Sequence, residues 1–259
     1  MLFLLLACDP NYKITTSDSG TFADGTADSG PSQEELDALW DGARLVIDTP
    51  QSGAFLPLGT ESEFKATVYD KDGNATDFDQ VDWRSDVDTA WTLLGHDVSD
   101  STLSVGRHAI TAEAPLPNGD RLAYTVGGVL VQSPYAGIYT GTMSMNVSYD
   151  TYQVGCAGAA NFTVDPTGTV VAGDATCELS LQGYALNGNY VLDLANAQGA
   201  ISGDINLDLQ FFQYPLPTAG TLSEDGTFSA SFEADINLGA AITITGGIEA
   251  TRISRDVMQ

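Results

Sequence analysis

The chain has 259 residues, with 35 Asp and Glu against 9 Lys and Arg and a formal net charge of −26. A surface of that sign repels phosphate, which excludes nucleic acid as a partner and disfavours adsorption to anionic lipid. With 43% hydrophobic residues the chain can still build real cores, and its length accommodates two modest domains.

The first ten residues read MLFLLLACDP. Leu5-Leu6-Ala7-Cys8 resembles the lipobox of bacterial lipoprotein signals, in which Leu and two small or apolar residues precede the Cys that is diacylated. The resemblance implies that residues 1–8 end a signal, that Cys8 carries lipid, and that the protein meets a membrane of the bacterial cell envelope through this anchor. A working signal has a basic start and an apolar run of roughly 7–15 residues, whereas only Leu2 to Ala7 precede Cys8. Met1 is therefore expected to be an internal residue of a longer signal. Asp9 follows the Cys; in enteric bacteria Asp here favours the inner membrane, a rule that is not general, so the outer membrane, the cell surface and the inner membrane all stay open.

Residues 9–32, DPNYKITTSDSGTFADGTADSGPS, hold almost nothing to bury and are expected to form a disordered acidic tether. SQEELDALW follows, where Ser32 as N-cap and Glu35 three residues on form a capping box, predicting a short helical turn over 33–42.

Over 43–133 the sequence reads as short strands with turns between them. Phe64, Ala66 and Val68 alternate with polar residues, and Val81 and Trp83 share a face, the pattern of half-buried strands. Asp70, Asp72, Asn74 and Asp77 place hard oxygen donors close together, which suits calcium, the one cofactor considered. The same residues suit a hairpin turn in which Asp caps backbone amides, and full EF-hand spacing is absent. The strand spacing predicts a β-sandwich. The Val-x-Trp-x-Ser-Asp of Val81 to Asp86 and the LSVGRHAITAEA of Leu103 to Ala114 resemble bacterial immunoglobulin-like and PKD-like domains. That resemblance implies Trp83 and Ile110 in the core, Gly106 in a turn, and a spacer or adhesion role. The chain departs from the family at DVDTAWTLLGHD, a longer stretch that offers Trp91.

Residues 134–259 predict an antiparallel β-meander of roughly eight strands, either a sandwich or a closed barrel. Cys156 and Cys177 flank a β-rich hairpin with a strong turn signal at Asp165-Pro166-Thr167-Gly168, and are expected to form a disulfide. A two-residue loop places Phe162 opposite Val171 and Cys156 opposite Cys177. A three-residue loop with Gly168 left-handed shifts the register by one, and a bulge at Gly158 or Gly173 then restores the cysteine pairing.

The chain holds two histidines, His96 and His108, and no G-x-S-x-G, H-E-x-x-H or Walker motif, so no catalytic residue is assigned. Aromatics near expected loops, Trp91, Tyr149, Tyr152, Phe211, Phe212 and Tyr214, are candidates for a surface that contacts an envelope protein or glycan. The reading is an all-β, non-enzymatic, monomeric binding or structural module of the cell envelope. The alternatives are a barrel that holds a small apolar ligand or lipid and, last, a carbohydrate-active enzyme.

Overall fold

The structure, a computed structural model, describes residues 32–76, 78–181, 184–208, 213–237 and 241–257. Cys8, the tether up to residue 31, Asp77, Phe211 and Phe212 lie outside the described residues.

The first described element is helix α1 (Gln33–Trp40), where Ser32 Oγ accepts from the Glu35 amide and the Glu35 carboxylate accepts from the Ser32 amide at 2.8 Å. Nine strands follow: β1 (Arg44–Thr49), β2 (Phe55–Pro57), β3 (Ser62–Tyr69), β4 (Ala75–Thr76), β5 (Asp82–Ser85), β6 (Thr92–Leu94), β7 (Asp97–Asp100), β8 (Gly106–Pro115) and β9 (Arg121–Gln132). They form two sheets, one ordered β1-β3-β4 with β7 also on β3, the other β2-β9-β8-β5-β6. Alternation on β3 sends Phe64, Ala66 and Val68 inward to meet Trp83 and Ile110, so the sheets enclose one core. Trp83 is fully buried and its Nε1 donates to the Gly95 carbonyl at 2.8 Å, which satisfies its polar atom.

Two sequence expectations change here. Gly106 does not turn the chain; it opens β8, paired with Val131. Trp91 is not an exposed loop aromatic. It is 8% exposed, tilts against Phe64 at 5.2 Å, and its Nε1 donates to Asp100 at 2.9 Å. A long-range partner on β7 makes this loop tryptophan a core residue.

The second unit comprises β10 (Gly137–Tyr149), β11 (Tyr152–Val164), β12 (Val170–Leu181), β13 (Tyr184–Ala197), β14 (Ala200–Asp208), β15 (Gln213–Leu222), β16 (Thr227–Asn237) and β17 (Ala241–Ser254). Each pairs with the next, and β17 returns to β10, closing an eight-stranded barrel. One parity of each strand faces in: Tyr139, Met143, Phe162, Tyr190, Ile205 and Phe228 are all at most 2% exposed and belong to one cluster. The bore is thus filled with side chains, as an eight-stranded barrel permits. Tyr190 illustrates how dry it is: burial pushes its phenol up to about 12, and its hydroxyl donates to the Met145 sulfur at 3.2 Å.

The cysteine hairpin adopts neither expected register. Val164 pairs with Val171 and Phe162 with Gly173, around the loop Pro166–Thr169. The Asp165 side chain sets that loop, accepting from the amides of Thr167, Thr169 and Val170 at 3.2, 2.7 and 2.7 Å. Ladder pairing between β11 and β12 stops at Ala160–Ala175. Beyond it the strands slip, and Cys156 meets Cys177 in a disulfide with Cα atoms 5.7 Å apart. Gly158 permits the slip, because a Cβ there would run into the Thr176 carbonyl oxygen.

Burial pushes Asp165 up, but the hydrogen bonds from Thr167, Val170 and Thr169 outweigh it and hold the carboxyl below its usual value of 3.8. A depressed folded-state pKa contributes stability above the unfolded value, and that contribution is lost as pH falls through the folded value. Asp165→Ala therefore lowers barrel stability by about 1–2 kcal/mol at pH 7. It also flattens the loss of stability below about pH 4. Urea unfolding at pH 7 and pH 3 checks both.

Candidate functional site

At one end of the barrel, here called distal, β10, β12, β14 and β16 finish and β11, β13, β15 and β17 begin. The opposite end, with the β11–β12, β13–β14 and β15–β16 turns, faces the sandwich. The two units are joined there by several contacts. Arg107 pairs with Asp256 at 2.6 Å, and Arg255 lies over the Phe55 ring at 4.6 Å. Gln132 Nε2 also donates to the Arg255 carbonyl.

Following β10 outward from the junction, the inward side chains pass from fully buried Tyr139 and Met143 through Met145 to part-buried Val147 and finally to Tyr149, which is 45% exposed. On β11, Cys156 and Val154 are part-buried and Tyr152 is 61% exposed. Tyr149 and Tyr152 are direct cross-strand partners, and Tyr149 also pairs with Ile242 of β17. Tyr214, on β15, packs partly against the same core. The inward apolar rows thus continue past the point where the bore covers them and end as an exposed aromatic rim.

The walls of this end are also its least tied part. Two seams lack ladder pairing distally, β11–β12 beyond Ala160 and β15–β16 beyond Thr218. On β15 the cause is local: Pro215 and Pro217 have no N–H to give. The barrel therefore ends as two four-stranded halves, β16-β17-β10-β11 and β12-β13-β14-β15, and the disulfide staples one of the two seams.

The outer face is polar. Thr142, Ser144, Asp174, Asp193, Asp204 and Glu233 point away from the core, and Asp193 stands directly opposite Asp204. From Leu122 to Thr251 the sequence contains no Lys, Arg or His, so this wall carries carboxylates alone. A membrane-spanning barrel has the inverse pattern, an apolar band outside and a polar interior. This barrel is built to stand in water.

The structure separates the aromatic residues singled out from sequence. Tyr149, Tyr152 and Tyr214 come to the distal end; Trp91 sits in the sandwich core; Phe211 and Phe212 fall outside the described residues between β14 and β15. In the β3–β4 turn, Asp70 accepts from the amides of Asp72 and Asn74 at 2.9 and 2.8 Å, and from the Asn74 side chain at 3.0 Å. Those bonds, the Asn74 side chain first, lower the Asp70 pKa. Asp70 thus caps the backbone amides of its turn, and Asp77, the fourth residue of the candidate calcium set, lies outside the described residues. Both histidines have structural partners. His108 is buried between Ser85 Oγ at 2.7 Å and the Ser104 carbonyl at 3.0 Å, and His96 meets Asp79 at 3.0 Å.

No family model matches the chain, and no curated protein matches it. Among solved structures it is similar to the vaccine antigen transferrin-binding protein B of Haemophilus parasuis Hp5, in a tryptophan-to-alanine mutant. The TM-score is 0.32 and the identity 11%, over 73% of this chain and 50% of that one. It is also similar to the isotype 1 transferrin-binding protein B of serogroup B Neisseria meningitidis, at TM-score 0.31 and 10% identity over the same shares. The chain spans half the length of these structures.

Proposed function

We propose that the chain is a non-catalytic binding module of the bacterial cell envelope, held by lipid on Cys8 through the acidic segment 9–32. The sandwich acts as spacer and the distal rim of the barrel contacts a partner protein. The observation that carries this reading is the exposed pair Tyr149 and Tyr152, on inward rows that the filled bore no longer covers. Uncovered aromatic surface on a polar domain is the usual mark of a contact site. The carboxylate-only wall around it selects a partner with a basic surface, since opposite potentials steer encounter. A ligand-holding barrel is less well supported, because large side chains occupy the bore.

The double substitution Tyr149→Ser, Tyr152→Ser tests the reading. It leaves stability within about 0.5 kcal/mol, since both rings are exposed, and abolishes capture of the partner from envelope extract by the full chain. Capture by the variant at the wild-type level removes the rim from the reading. The intact mass of protein purified from native membranes tests the anchor separately: it starts at Cys8 and carries a diacylglyceryl group.

A further inference from the structure

A concave surface lies at the opposite end, between the units, with a volume of about 620 Å³. Its walls are Leu58 and Thr60 of the sandwich and, from the linker and barrel turns, Tyr135, Thr169, Gln198 and Glu224. Clefts between domains are favoured places for ligands, and three features mark this one as built.

Its barrel side is braced. Buried Asn196 donates through Nδ2 to the Gly168 carbonyl at 2.7 Å and accepts at Oδ1 from the Gly199 amide at 2.8 Å, tying two turns into one piece. The Ser133 amide donates to the Pro166 carbonyl at 2.9 Å, which fixes the linker against the same turn. The second feature is Gln198, which holds φ at +53° in the two-residue turn Gln198-Gly199. That conformation is the habit of Asn, Asp or Gly, and a long amide kept there points to a use for its side chain. Third, the polar groups facing the cleft are uncommitted: among the described residues, the Tyr135 hydroxyl, Gln198 amide, Glu224 carboxylate and Thr60 hydroxyl have no hydrogen-bond partner.

We propose that this cleft binds a neutral oligosaccharide. Tyr135 packs against the barrel core and lines the cleft, so its ring offers an apolar floor for the C–H face of a sugar. The amide, carboxylate and hydroxyls around it match vicinal sugar hydroxyls, which both donate and accept. An anionic ligand is disfavoured. Two guanidiniums reach the Pro134 carbonyl at its edge, and both are engaged: Arg252 also donates to the carbonyls of Ala136 and Glu224, Arg255 also lies over the Phe55 ring, and Glu224 itself is negative. The site is independent of the distal rim.

Calorimetric titration of the full chain with maltotetraose, cellotetraose and chitotetraose tests it. At least one is expected to bind with a Kd of roughly 10⁻⁵ to 10⁻³ M. Combining Gln198→Ala with Glu224→Gln weakens that binding at least about tenfold and leaves the melting temperature unchanged, while Tyr149→Ser with Tyr152→Ser does not alter it. Three silent titrations overturn the proposal. So does binding that survives the cleft substitutions or is lost with the rim tyrosines.

Discussion

Replacing Cys156 and Cys177 together by alanine lowers the stability of the barrel by about 3 kcal/mol, the chain-entropy value for a loop of this length. The sequence separation is 21 residues. The location of the bond makes a second, sharper expectation. Proximal to Ala160–Ala175 the β11–β12 seam is held by a ladder; distally it is held by the disulfide. The same end has a second open seam at β15–β16, where Pro215 and Pro217 interrupt the ladder. Without the disulfide the two four-stranded halves have no distal covalent tie. Hydrogen exchange should therefore accelerate most at Tyr152–Ala159 and Thr176–Leu181, while the pairs from Ala160 to Val164 keep their protection. Uniform acceleration over the whole barrel would show that the bond acts only on the unfolded chain. The rim tyrosines sit on the loosened half, so the reduced protein should also bind its partner more weakly, through the cost of ordering the surface again.

The parts of this fold that local pattern decides can be read in the sequence. Phe228, Phe232 and Ile236 alternate with polar residues and do face the core; Glu224-Asp225-Gly226 turns the chain and brings Leu222 opposite Phe228. Barrel closure is another matter, because it rests on β10 pairing with β17, Tyr139 beside Arg252, across more than a hundred residues that carry no local signal of that contact. The cysteine register is set by one side chain. The Asp165 carboxylate captures the amides of Thr167, Thr169 and Val170 and lengthens the loop beyond the tight turns that the dipeptide grammar suggests. Trp91 reads as a loop aromatic because the DVDTAWTLLGHD stretch around it shows no strand alternation, yet Phe64 and Asp100, from other strands, make it core. The interdomain cleft is illegible for the same reason: Thr60, Tyr135, Gln198 and Glu224 meet only after both units have folded and docked. The two prolines of β15 are a signal that sequence does carry, since paired prolines inside a strand announce a broken ladder on one side.

The largest single-residue effect is expected from Phe162→Ala. Phe162 is 2% exposed, stacks on Tyr139 with centroids 5.1 Å apart and planes 3° from parallel, and meets Phe228 at 4.7 Å. It pairs with Tyr139 on one side and Gly173 on the other, and a Cβ at 173 would collide with the Phe162 backbone and Cβ. The ring thus covers a position with no side chain of its own. Truncation removes the central ring of three and opens a cavity that a closed barrel cannot collapse, because hydrogen-bonded ladders fix the spacing of its walls. The cost falls in the range for buried aromatics, about 3–5 kcal/mol. Phe162→Leu keeps most of the volume and should cost less than half as much. The chain supplies its own control: Trp40, Trp83 and Trp91 all lie before residue 133, and the barrel has none. Tryptophan emission follows the sandwich and far-ultraviolet dichroism follows both units. Phe162→Ala is expected to move the dichroism transition to lower urea while the emission transition shifts only by the small contribution of the docked interface. If the two transitions move together by the full amount, the sandwich and barrel unfold as one cooperative unit, and the junction through Arg107, Gln132 and Arg255 is a structural interface on the scale of a core.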